Sequence, residues 1–86
     1  MTESHENRLK RLRMRSMRRG IKEMDIILSN FADAHLNDLS ADELDLYESL
    51  LSEADLDMYQ WASGQSPTPS EYLDLMTRIS AQMQDR

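Results

Sequence analysis

Cysteine is absent from this chain of 86 residues, which excludes disulfide staples, thiolate zinc sites and cysteine nucleophiles and suits a reducing compartment. Glycine and proline are scarce, with two of each. No glycine-rich phosphate loop can be assembled from two isolated glycines, and no low-complexity segment is present. Long apolar runs are missing as well: the longest in mid-chain is Ile26-Ile27-Leu28, far short of a bilayer span and unlike a signal-peptide core. Histidine is limited to His5 and His35, 30 positions apart and without the spacing of a metal or catalytic motif. Catalytic and metal-binding residues are therefore both expected to be none.

What the chain does contain is charge, unevenly divided. Residues 1–22 hold eight of the ten basic side chains (Arg8, Lys10, Arg11, Arg13, Arg15, Arg18, Arg19 and Lys22) against Glu3 and Glu6, whereas the remainder holds two against fourteen carboxylates. A basic arm on an acidic body bears on partners and steering rather than on fold. Phosphate binding by the arm would make this a nucleic-acid-associated regulator. The acidic body would repel a polyanion, however, and no aromatic residue interleaves the arginines for base stacking. Pairing of the arm with the protein's own acidic helices is the plainer alternative.

Helical spacing dominates, strand alternation is absent, and 40% of the residues are hydrophobic. A first helix is predicted over 4–18, with basic residues 8, 11, 15, 18 and 22 lining one face. After Gly20, the stripe Met24, Ile27, Leu28, Phe31 and His35 predicts a second, amphipathic helix. Ser40 and Glu43 form a capping box for a third that buries Leu44, Tyr47, Leu50 and Leu51. Asp55 is expected to cap a short fourth helix carrying Leu56, Tyr59 and Trp61 or Ala62, stopped by Gly64. Thr68-Pro69-Ser70-Glu71 starts the last, with Thr68 as cap and with Tyr72, Leu75, Met76, Ile79 and Met83 as its apolar stripe. The expected fold is all-α, a small five-helix antiparallel bundle in a single domain over 1–86, loosely ordered over 1–7 and frayed over 80–86.

The numerous carboxylates are read as solvated helix faces. An acyl-carrier role would need a serine in an Asp-Ser-Leu setting, but the order here is Asp38-Leu39-Ser40. The sharpest local feature is Arg18-Arg19-Gly20-Ile21-Lys22-Glu23. One reading is structural, with Gly20 opening a helix, Glu23 capping back, and Arg19 and Glu23 at i, i+4. The other is a docking surface, where glycine admits a close backbone and arginine offers a planar fork for carboxylates.

Arg19-Gly20-Ile21-Lys22-Glu23 resembles the Arg-Gly-x-x-Glu motif of the succinate dehydrogenase assembly factors that promote covalent flavin attachment. The likeness continues through Met24-Asp25, Leu28 and Phe31, the helix start Leu39-Ser40-x-x-Glu43, and the block Tyr47-Glu48-x-Leu50-Leu51 with Asp55, Asp57 and Trp61. Ile21 stands where that family commonly has methionine, and Ala62 where it has leucine. The resemblance implies a five-helix assembly factor, not an enzyme. Its partner would be the flavoprotein subunit of succinate dehydrogenase or fumarate reductase, whose covalent flavinylation with FAD it promotes. FAD belongs to that client, and no cofactor is held stably by the factor itself. Arg15, Arg18, Arg19, Gly20, Ile21 and Glu23 would form the partner-binding surface, while Asp55, Asp57 and Trp61 would be mainly structural, as cap and core. A monomer without membrane insertion is expected, and the lack of a presequence points to a bacterial cytoplasmic member.

Overall fold

A computed structural model describes residues 3–84. Five α-helices follow in order: α1 (His5–Arg15), α2 (Lys22–His35), α3 (Ala41–Leu51), α4 (Asp55–Ala62) and α5 (Leu73–Gln84), with single 3-10 turns at Leu36–Asp38 and Ser70–Tyr72. No strand occurs among the described residues. The all-α fold is as expected. The Cα radius of gyration is 12.3 Å, matching the roughly 12 Å of a compact chain this long.

Local chemistry sets most of the helix ends. Ser4 caps α1 by accepting the Asn7 amide at 3.1 Å, so residues 5–7, expected in a loose start, are already helical. The helix ends at Arg15 rather than running to residue 18. Ser16 turns back, its amide reaching the carbonyls of Leu12 and Arg13, and Arg18 takes a left-handed conformation with φ 58°. Gly20 does not open α2: Ile21 occupies the cap position, extended and without a side-chain cap bond. The capping box of α3 forms as read, with Glu43 Oε1 accepting the Ser40 amide at 2.8 Å and Ser40 Oγ accepting the Glu43 amide at 3.2 Å.

At α4 the cap position falls to Ala54, and Asp55 is the first helical residue. Gly64, at φ 81°, closes that helix, where its freedom to adopt positive φ is needed. Thr68 is not the cap of the last helix. Pro69 is extended at ψ 143°, so a 3-10 turn precedes α5. Residues 80–84, expected to fray, continue α5; residues 85–86 and the Met83 side chain lie outside what is described.

One core joins the helices. Phe31 is fully buried, its ring centroid 5.7 Å from that of Tyr47 and 5.3 Å from that of His35. Around it lie Met24, Leu28, Leu44, Leu50 and Ile79, with Leu12 from α1. The sequence stripe missed Met58, which is buried, and included Leu56, which is exposed. His35 is half-buried and bonds Gln82 Oε1 through Nε2 at 2.9 Å.

Candidate docking site at the elbow between the first two helices

Residues 16–21 reverse the chain between α1 and α2, and three helix ends meet there. Arg19 Nη1 donates to the Arg15 carbonyl at 2.8 Å, and Nη2 donates to the Leu51 carbonyl at 3.0 Å. One guanidinium thus satisfies final-turn carbonyls of both α1 and α3, where the helix dipoles favour a cation. Its remaining edge faces Asp55, with Nε donating to Oδ1 at 2.8 Å and Nη2 lying 2.7 Å from the same oxygen. Asp55 begins α4, the dipole end that favours an anion. Its other oxygen, Oδ2, accepts the Gly20 amide at 2.6 Å.

In place of the i, i+4 partner Glu23 that one of the two sequence readings offered, Arg19 takes a partner 36 residues away. Only 12% of the Arg19 side chain is exposed, so Arg19 faces inward and its neighbours face out. Arg18, Gly20 and Glu23 are exposed, and Ile21 is half-buried against the core. The Arg18 amide donates to Asp25 Oδ2 at 2.9 Å, which holds the left-handed backbone in place. Met17, within the elbow, and Ile26, on α2, are 38% and 46% exposed and add apolar surface.

Most of the basic arm folds onto the acidic body. Arg8 Nη2 lies 2.6 Å from Asp45 and 3.1 Å from Glu48; Arg11 reaches Glu48 at 2.8 Å and Glu3 at 2.9 Å. Arg15, expected at the partner surface, bonds Ser52 Oγ at 3.2 Å and lies 3.9 Å from Glu48. Lys10 pairs with Glu6 and Arg13 with Asp33. The hydrogen bond from Arg11 holds the Glu48 carboxyl below its ordinary value, against the opposing effect of burial. Six of the eight N-terminal cations are thus neutralised within the chain, and among the described residues only Arg18 and Lys22 of that set lack a carboxylate within 4.0 Å. A polyanion would have to displace those carboxylates to use the stripe.

The second signature block divides. Asp55 belongs to the elbow rather than to a cap, Asp57 is exposed on the first turn of α4, and Trp61 stacks on Tyr72 with centroids 6.0 Å apart. Nothing in local spacing signals the meeting of Asp55 with Arg19 and Gly20; the only available hint was that both blocks belong to one resemblance. Beside Trp61 a cleft of about 320 Å³ opens between α4 and α5, lined by Thr68, Met76, Thr77, Ser80 and Ala81. Among the described residues no three histidines, aspartates or glutamates gather where they could hold a metal, and no helix is long and apolar enough to cross a membrane.

This elbow and its five-helix frame occur in a chain whose residues 10–83 match the family described as the flavinator of succinate dehydrogenase. The chain belongs to that family, whose members are assembly factors for succinate dehydrogenase and not enzymes. It is 41% identical over 91 residues to succinate dehydrogenase assembly factor 2, mitochondrial, of Meyerozyma guilliermondii, covering 98% of this chain and 67% of that protein. It is 38% identical over 88 residues to the protein of the same description from Candida glabrata, covering 99% and 56%. A Drosophila mojavensis protein, succinate dehydrogenase assembly factor 2-B, mitochondrial, is 42% identical over 69 residues, covering 78% and 44%.

These comparisons correct the expected bacterial cytoplasmic location, since the relatives are named as mitochondrial proteins of yeasts and flies. The expectation rested on the missing presequence. A chain spanning roughly half to two thirds of its relatives' length gives no such information by where it starts.

Proposed function

We propose that this protein docks through the elbow onto the flavoprotein subunit of succinate dehydrogenase, or of fumarate reductase, and promotes its covalent flavinylation. The observation that carries the reading is the exposed surface of Arg18, Gly20 and Glu23 beside a half-buried Ile21, held on a hydrogen-bonded elbow in a chain of the flavinator family. Bond formation between FAD and the client belongs to the client's own chemistry. The factor acts by binding more tightly to the client arrangement competent for that step, which raises its population. FAD is the client's cofactor.

The test is in-gel flavin fluorescence of the denatured flavoprotein subunit, expressed with and without this protein. Fluorescence that requires the protein is expected, and Glu23→Ala should lower it severalfold while leaving the melting curve in place, because Glu23 is exposed. Equal fluorescence in every lane would overturn the reading.

A further inference from the structure

We propose that Asp55 is the positioning residue of the docking surface, and that position 20 is glycine because of Asp55 rather than because of the client. The proposal rests on the docking reading above. Two donors converge on this one carboxylate, Arg19 Nε at Oδ1 and the Gly20 amide at Oδ2, with Arg19 Nη2 in ion-pair contact 2.7 Å from Oδ1. A Cβ built on Gly20 would lie 3.0 Å from Oδ2, and no other atom beyond the adjoining residues comes within 4 Å of it. That distance is tighter than side chains ordinarily keep, so either the carboxylate or the elbow must shift. Gly64 is the glycine with positive φ among the described residues, so Gly20 is not placed for left-handed freedom. It is placed for a close approach, and what approaches is Asp55.

Two carboxylates, both later in the chain, therefore fix the elbow's backbone. Asp25 of α2 holds the Arg18 amide, and Asp55 of α4 holds the Gly20 amide two residues later. An arginine in the left-handed region is a sparsely populated conformation, and such conformations persist only where the surroundings over-determine them. Loss of the Asp55 bonds frees the elbow to relax, which disperses Arg18, Ile21 and Glu23. A client that binds them as one arrangement then meets the cost of ordering them.

The experiment is a double-mutant cycle with Gly20→Ala, Asp55→Ala and the pair, reading affinity for the purified flavoprotein subunit well below each variant's melting temperature. Each single variant should weaken binding by about threefold or more, and the pair should bind no more weakly than Asp55→Ala alone. Asp55→Asn serves as a second variant of nearly the same shape without the charge. In it the Gly20 amide proton, downfield in the wild type because of a short charge-assisted bond, should move upfield while resonances elsewhere stay in place.

A Gly20→Ala loss that is equally large with and without Asp55 would mean the client itself demands the glycine, and the proposal falls. A folded Asp55→Ala or Asp55→Asn with wild-type affinity overturns it equally. If the wild-type protein does not bind the flavoprotein subunit at all, the docking reading fails instead. The amide shift and a stability cycle still judge the assigned cause in that case: Gly20→Ala must destabilise only when Asp55 is present.

Discussion

Ser16 and Tyr47 make a buried polar contact between the end of α1 and α3. Ser16 Oγ donates to the Leu12 carbonyl at 2.8 Å and so accepts from the Tyr47 hydroxyl, 2.6 Å away. Both residues are fully buried, so Tyr47→Phe leaves an acceptor without its donor. The expected cost is about 1–2 kcal/mol, read as a fall of roughly 5–10 °C in melting temperature for a domain of this size. Burial also pushes the Tyr47 hydroxyl up to about 12 from 10.0. The unfolded chain ionises first, so stability is fully present below the ordinary tyrosine value and declines as pH rises from there toward 12. Tyr47→Phe should remove that decline in an alkaline melting series, and an unchanged slope would assign it to another group. This pairing was invisible in the sequence, because neither serine nor tyrosine announces a partner 31 residues distant.

Among the elements, α1 stands apart. It spans eleven residues yet buries only Leu12 fully, and it lies against α3 largely through arginine–carboxylate pairs centred on Glu48. A carboxyl held below its ordinary value stabilises the fold above that value, and this contribution is lost as pH falls through the folded value. Glu48→Gln should therefore speed amide exchange along α1 at neutral pH, with the difference from wild type closing in acid. Unchanged protection at neutral pH would show that Leu12 and Ser16 hold the helix without help. The middle helices were legible because their signals are local: a stripe at helical spacing for α2, and a capping box spanning four residues for α3. The end of α1 and the start of α5 were not. One is decided by Ser16 and Arg18 bonding within the folded elbow, the other by an extended Pro69 that only the tertiary path reveals.

At the scale of the whole molecule, the opposed charges of arm and body were legible, and so was their pairing as one alternative, but not its centre at Glu48, which needs α1 to lie beside α3. The elbow was half legible in the same way: the run 18–23 stands out in the sequence itself, while the sequence places Asp55 only as a cap and gives no sign of its contact with Arg19 and Gly20. Its contact with Arg19 closes a loop of 36 residues that contains α2 and α3, and loop closure of that length is entropically costly until the intervening helices are packed. The clamp should accordingly form after the folding barrier is crossed and break before it is recrossed. In a chevron analysis Asp55→Asn is then expected to steepen nothing and slow nothing on the folding arm, while raising the unfolding rate by nearly the whole loss of stability. A folding arm that drops instead would place the elbow in the nucleus. On this account the surface offered to the client is also the last part of the molecule to be made and the first to come apart, so its lifetime in a destabilised variant is shorter than that of the core beneath it.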